Sequence, residues 1–131
     1  MSDSEWTRER QSFSCTDTTW TAAKTAWAAD RATHPAWTDW LEHALAEAAD
    51  ATEHRTGALR TPPERIPPGR SVGTAPAGRR RRSFTCRPSI WARTRAAWWT
   101  DVDTHPQLSD WIEAAIASKA HLPAPQKGPQ P

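Results

Sequence analysis

The sequence predicts a small, mainly α-helical fold that also contains a short two-stranded antiparallel β-ribbon, with the order strand, helix, helix occurring twice. The first observation is a duplication: residues 10–49 align without a gap to residues 81–120, at an offset of 71. The second is an alternation of polar and apolar residues at the start of each copy, and the third is a pair of amphipathic segments after it. Because a unit of this size buries little core alone, each copy is expected to pack against the other.

Each copy opens with a predicted strand in which a Phe and a Cys alternate with Ser or Thr. This period of two is typical of a strand with one buried face. Since a lone short strand exposes unpaired backbone groups, the two strands are expected to pair antiparallel. The residues expected to face inward are Phe13, Cys15, Phe84 and Cys86. In a chain without a recognisable signal peptide, these cysteines are interpreted as buried thiols in preference to a disulfide.

A first helix is predicted after each strand. In the first copy it runs from about Asp17 to Ala32 with Trp20 and Trp27 on one face, and in the second it opens at Pro88. Tryptophans at this helical spacing are interpreted as core residues in preference to base-stacking platforms.

A His-Pro turn ends each first helix, because the residue before a proline is disfavoured in helical geometry. His34 and His105 are therefore assigned a structural role at this junction. Each second helix carries a Trp followed by aliphatic residues at helical spacing, and that of the first copy is expected to end near Ala51.

The remaining segments are expected to lack regular structure. Their boundaries are a polar arm at 1–8, a first repeat at 9–51, a Pro/Arg-rich flexible linker at 52–80, a second repeat at 81–122 and a disordered tail at 123–131.

The net charge of +2 conceals a division along the chain. Residues 1–53 carry −6, residues 54–95 carry +10 and residues 96–131 carry −2. A concentrated basic stretch indicates a polyanionic partner, most simply nucleic acid.

Nothing in the sequence supports catalysis. There is no nucleophile–base pair, no phosphate-cradling glycine loop and no Cys/His spacing typical of a metal site, so neither an enzyme nor a cofactor is predicted. No apolar run is long enough to span a membrane, and a cytoplasmic location is expected.

The chain combines the pattern SFxC, a Trp-bearing first helix, the His-Pro turn and a second helix that carries Asp-Trp with aliphatic residues. This combination resembles the ribbon-helix-helix family of DNA-binding proteins, here as a tandem duplication. More narrowly, RRSFTCRPSIWARTRAAWW with HPQLSDWIEAAI resembles the C-terminal region of ParB-like centromere-binding proteins of bacterial plasmids. The resemblance implies sequence-specific binding of double-stranded DNA, with the ribbon in the major groove, for plasmid partition or transcriptional regulation. It also implies a ParA-like ATPase partner.

The candidate DNA-binding residues follow from the strand period and the resemblance. The outward-facing positions are Arg10, Ser12, Ser14, Thr16, Arg81, Ser83, Thr85 and Arg87. Arg87 is the residue best suited to a bidentate contact with guanine, and the resemblance implies phosphate binding at the starts of the second helices, near Thr38 and Ser109. Because Thr16 stands where the second copy has Arg87, the two halves are expected to read different bases.

Cations around the start of the second predicted strand add sequence-independent attraction, namely Arg79, Arg80 and Arg82. With about six phosphates neutralised, affinity would fall roughly a thousandfold between 50 and 200 mM salt.

Several alternatives stay open on the sequence. The first copy either contacts DNA or serves only as a packing partner. The repeats pair either within one chain, as a pseudo-dimer, or between chains, as a domain-swapped homodimer. The competing function is a protein–protein interaction module, such as an antitoxin that binds a toxin protein, without specific DNA binding.

Overall fold

The computed structural model describes residues 8–63 and 79–121. Over those residues the strand, helix, helix order occurs twice. The elements are β1 (Glu9–Thr16), α1 (Asp17–Ala29), α2 (Trp37–Thr56), β2 (Arg79–Cys86), α3 (Pro88–Thr100) and α4 (Leu108–Lys119). The expected combination of a mainly helical fold with a two-stranded antiparallel sheet is confirmed.

The two strands pair with each other inside one chain. β1 and β2 are antiparallel, and Ser12 stands opposite Ser83. These two serines are also equivalent in the duplication, being 71 positions apart. The ribbon therefore has an approximate two-fold axis through its centre.

One face of the ribbon covers the core. The rings of Phe13 and Phe84 meet edge to face at 5.6 Å, and both cysteines are fully buried. Below them lie the apolar stripes of α2 and α4, in which Trp40, Leu41, Ala44, Leu45, Trp111, Ile112, Ala115 and Ile116 are buried. Burial of each large apolar side chain contributes about 1.5–3 kcal/mol, so packing of one copy on the other accounts for much of the stability.

The cysteines are free thiols at opposite ends of the ribbon, with Cys15 opposite Arg80 and Cys86 opposite Glu9. Burial raises the pKa of each thiol to about 12, which keeps both protonated. This agrees with the sequence interpretation of the two residues as small core side chains.

Helix ends differ from the sequence prediction in two places. α1 ends at Ala29, three residues before the expected Ala32, where the backbone N–H of Asp30 bonds the carbonyls of Ala26 and Trp27. α2 continues five residues beyond Ala51 to Thr56 and is capped by Gly57, whose φ of 89° is the left-handed geometry that glycine adopts without strain.

Tertiary contacts explain the longer α2. Arg55 in its last turn bonds the carboxylate of Asp101 at 2.7 Å, and the hydroxyl of Thr52 bonds the same carboxylate at 3.2 Å. Because β2 also begins at Arg79, the expected linker at 52–80 is wrong at both ends. Residues 64–78, most of the expected arm and the expected tail lie outside the described residues.

Both His-Pro turns are fixed by a tryptophan. The indole Nε1 of Trp27 donates to the carbonyl of His34 at 3.0 Å, and that of Trp98 donates to His105 at 2.9 Å. The histidines thus contribute backbone acceptors at the helix junction. Within the described ranges, no helix is both long and apolar enough to cross a membrane.

Candidate nucleic-acid interface

The face of the ribbon that points away from the helices carries six polar side chains. Arg10, Arg81, Ser83 and Thr85 are exposed, while Ser12 and Ser14 are half-buried. Their backbone register sets Arg10 opposite Thr85, Ser12 opposite Ser83 and Ser14 opposite Arg81. We call these six residues the outward face; it has two positive charges and no carboxylate.

The outward face is close to two-fold symmetric in chemistry as well as in backbone. Arg10 and Arg81 are equivalent in the duplication, as are Ser12 and Ser83, and Ser14 corresponds to Thr85. The expected difference between the halves rested on Thr16 and Arg87, and neither lies on this face. Each half therefore presents Arg, Ser and a second hydroxyl residue.

Thr16 is the N-cap of α1. Its hydroxyl accepts a hydrogen bond from the backbone N–H of Thr19 and donates to the carboxylate of Glu113 at 2.7 Å. The last strand position is consequently turned toward the helices, and the expected outward orientation of Thr16 is wrong.

Arg87 lies beyond the last residue of β2 and is the N-cap of α3. Its backbone N–H bonds Glu42 at 2.7 Å, and its guanidinium Nε bonds the same carboxylate at 3.2 Å. Arg87, the residue that the sequence favours for base recognition, is thus held against α2, and 38% of its side chain is exposed. The alternation of inward and outward residues predicted Arg87 to face outward, but β2 ends one residue earlier, at Cys86.

Two buried carboxylates that the sequence analysis missed organise the ends of the ribbon. Glu42 and Glu113 are 2% and 5% exposed. Burial opposes the ionisation of Glu42, but hydrogen bonds from Arg8 and Arg87 outweigh it and lower its pKa. The pKa of Glu113 is lowered in the same way, against burial, by bonds that include those from Thr16 and Arg79.

Arg8 and Arg79 complete these clusters at equivalent positions. Arg8 bonds Asp39 at 2.8 Å and Glu42 at 3.2 Å, and Arg79 bonds Glu113 at 2.9 Å as well as Asp110. Arg8, which the sequence assigned to the loose arm, is thus attached to α2. Arg79 is only 9% exposed and is not available as a phosphate contact.

The other two of these cations lie within β2 and share an acidic neighbour. Arg82 bonds Asp17 and lies over the ring of Trp20, with 17% of its side chain exposed. Arg80 is 71% exposed, and its Nε lies 3.6 Å from Asp17. Of the three cations predicted from the sequence, only Arg80 presents most of its guanidinium to solvent.

Thr38 and Ser109 join the second helices to the ribbon. The hydroxyl of Ser109 accepts the backbone N–H of Ser14 at 2.9 Å, and the hydroxyl of Thr38 lies 3.5 Å from that of Thr85. Neither α2 nor α4 has a side-chain bond from its N-cap residue. Both helix starts therefore lie beside the outward face with backbone N–H groups that no N-cap side chain satisfies.

An exposed lysine of α1 lies against the half-buried tryptophans of the first copy. Lys24 Nζ lies 4.2 Å from the ring centroid of Trp37, and it also contacts the rings of Trp20 and Trp27. Burial lowers the pKa of Lys24. All three rings also pack against the buried core, which supports the interpretation of these tryptophans as packing residues.

Comparison with protein-family models, with curated proteins and with solved structures gave no match for the chain. No group of His, Cys, Asp and Glu suited to a metal ion occurs in the part of the chain that the structure describes. The outward face and its neighbours are therefore the basis for assigning a function.

Proposed function

We propose that this chain is a sequence-specific DNA-binding protein of ribbon-helix-helix architecture, which inserts the outward face of its β-ribbon into the major groove of double-stranded DNA. The observation that carries the proposal is the composition of that face. It combines two exposed arginines with four hydroxyl side chains on a paired, rigid ribbon.

The geometry of a two-stranded ribbon suits this role. The major groove is about 12 Å wide and admits such a ribbon, and each base pair presents a distinct set of donors and acceptors there. Arginine pairs with guanine through two hydrogen bonds, while Ser and Thr donate to or accept from several bases. All of these residue types occur on the outward face.

The electrostatics around the ribbon favour a polyanion. The buried acids that contact the ribbon ends, Glu42 and Glu113, are paired with Arg8, Arg87 and Arg79. Arg10, Arg81 and Arg80 are left facing solvent. The starts of α2 and α4 beside the ribbon would add backbone N–H groups for phosphates.

The cellular role within this proposal is plasmid partition by centromere binding, or regulation of transcription. A partition role would involve a ParA-like ATPase. These finer roles rest on the sequence resemblance, whereas DNA binding rests on the ribbon.

A gel-shift assay with duplex DNA from the regions flanking the chain's own gene tests the proposal. The full chain is expected to bind one such duplex in the presence of excess unrelated DNA. If about four phosphates are neutralised, affinity should fall roughly a hundredfold between 50 and 200 mM salt. This is weaker than the thousandfold from the sequence, since Arg79 and Arg82 are held in internal ion pairs.

Charge-reversal variants provide the matched control. Arg10→Glu is expected to abolish specific binding, because it places a carboxylate against the groove. Arg60→Glu makes the same charge change next to Thr100, at the end of α3 remote from the ribbon, and should leave binding nearly unchanged. Equal binding by both variants would reject contact through the outward face, and a folded wild-type chain that binds no duplex would reject DNA binding in favour of a protein-interaction module.

A further inference from the structure

Arg10 and Arg81 form an equivalent pair on opposite strands of the ribbon. Both are exposed, and neither pairs with a carboxylate among the described residues. Arg81 donates from its guanidinium to the hydroxyl of Ser12 across the ribbon at 2.8 Å. That bond uses one of five N–H donors and leaves enough for a bidentate contact.

The register fixes the separation of this pair. Arg10 stands opposite Thr85, and Arg81 precedes Thr85 by four positions on the same strand. At about 3.3 Å per residue, the two Cα atoms are displaced by about 13 Å along the ribbon. The midpoint of this displacement is the Ser12–Ser83 pair.

Resting on the proposed DNA binding, we propose that Arg10 and Arg81 are the specificity-determining residues and that each binds one guanine. The approximate two-fold axis places these guanines on opposite DNA strands. B-DNA rises about 3.4 Å per base pair, so a separation of about 13 Å corresponds to at most four base-pair steps. Because the path along the groove is longer than the rise along the axis, we expect the two G·C pairs to be about three to four steps apart. Ser12 and Ser83 lie over the base pairs between them.

Other arginines near the ribbon lack the freedom for this contact. The guanidinium of Arg87 is bound by Glu42, and that of Arg82 by Asp17. Arg80 is exposed, but it stands opposite Cys15 and therefore belongs to the other face of the ribbon. Its expected role is phosphate attraction, which is independent of base sequence.

Binding-site selection from a randomised duplex pool, with the full chain, tests the inference. The wild type should select two guanines on opposite strands, three to four steps apart. Arg10→Ala should lose the preference at one of them and Arg81→Ala at the other, each by roughly tenfold to a hundredfold. Both side chains are exposed, so unchanged circular dichroism is expected for both variants.

Arg80→Ala is the matched control, because it removes an exposed arginine that directly precedes Arg81 but does not belong to the outward face. It should weaken binding to all duplexes and retain both guanines. A selected motif that Arg10→Ala and Arg81→Ala leave unchanged, or that Arg80→Ala alters, overturns the guanine assignment while DNA binding stands. Failure of the folded wild type to enrich any duplex overturns both.

Discussion

At the scale of single residues, Glu42 and Glu113 connect the ribbon to the helices. Each carboxylate accepts a backbone N–H at the end of one strand, from Arg87 and Thr16 respectively. Each is also bound by the arginine that starts its own copy, Arg8 or Arg79. Removing either charge leaves buried donors without a partner, which costs more than the bond itself contributes.

Glu42→Gln is therefore expected to lower the free energy of unfolding by about 2 kcal/mol. Urea denaturation at neutral pH measures the change. Glu47→Gln is the matched control on the same helix, where the carboxylate is 55% exposed and pairs with Lys119; it should cost less than about 1 kcal/mol. Equal losses in the two variants would show that burial of Glu42 does not matter.

The same carboxylates predict a loss of stability in acid. Their pKa values are lower in the folded chain than the ordinary value of about 4.3, so the unfolded chain binds protons more readily. Their contribution is fully present above about pH 4.3 and disappears as the pH falls through the folded pKa values. Urea midpoints should decline below pH 4.3 in the wild type and decline less in the double variant Glu42→Gln with Glu113→Gln. A wild-type midpoint that is constant down to pH 3 would contradict the assignment.

The orientation of a side chain was predictable from sequence only where a regular spacing of apolar residues determines it. The inward positions of Phe13 and Phe84 follow from alternation along a strand. The role of Glu42 depends on Arg87, 45 positions away, which only the folded chain brings close. A signal was present, because Arg8 and Glu42 recur 71 positions later as Arg79 and Glu113. Extending the repeat alignment two residues toward the N-terminus would have shown it.

At the scale of elements, the ribbon is protected by the helices beside it. Backbone N–H groups of β1 at Ser14 and Thr16 bond side chains of α4, and Arg87 after β2 bonds α2. A two-stranded ribbon is marginally stable alone, so these bonds and the buried Phe pair hold it in register. They also block strand edges that would otherwise pair with other chains.

The end of α2 provides a test at this scale. Gly57 has a φ of 89°, and no atom lies within 4 Å of the position that a Cβ would take, so only backbone strain opposes a side chain there. Gly57→Ala should lower the free energy of unfolding by about 1 kcal/mol. Gly57→Asn should lose less, because Asn tolerates left-handed geometry. Thermal melts of both variants measure the difference, and an Ala variant as stable as wild type would contradict the strain.

Element boundaries were less predictable than element types. The alternation and the helical stripes predicted each strand and helix in order. The extension of α2 past Ala51 depends on Asp101, which follows α3 and bonds Thr52 and Arg55. The sequence of α2 alone does not predict this contact with Asp101.

At the scale of the whole molecule, each repeat supplies one strand of the ribbon, and β1 pairs with β2 of the same chain. From this pairing we expect the chain to fold without association. The thermal midpoint should then be constant over about a hundredfold range of protein concentration, and light scattering should give a monomer mass. A midpoint that rises with concentration, with dimers that dissociate on dilution, would favour exchange of strands between chains.

The central claim is that the outward face of the ribbon contacts DNA. Titration of the isotope-labelled chain with a bound duplex, followed by amide chemical shifts, tests it most directly. The account predicts that the largest shifts occur at residues 10–14 and 81–85 and at the starts of α2 and α4, with small shifts at the end of α3. Shifts concentrated at Lys24 and the three tryptophans that it contacts, or at the end of α3, with the ribbon unchanged, would contradict it.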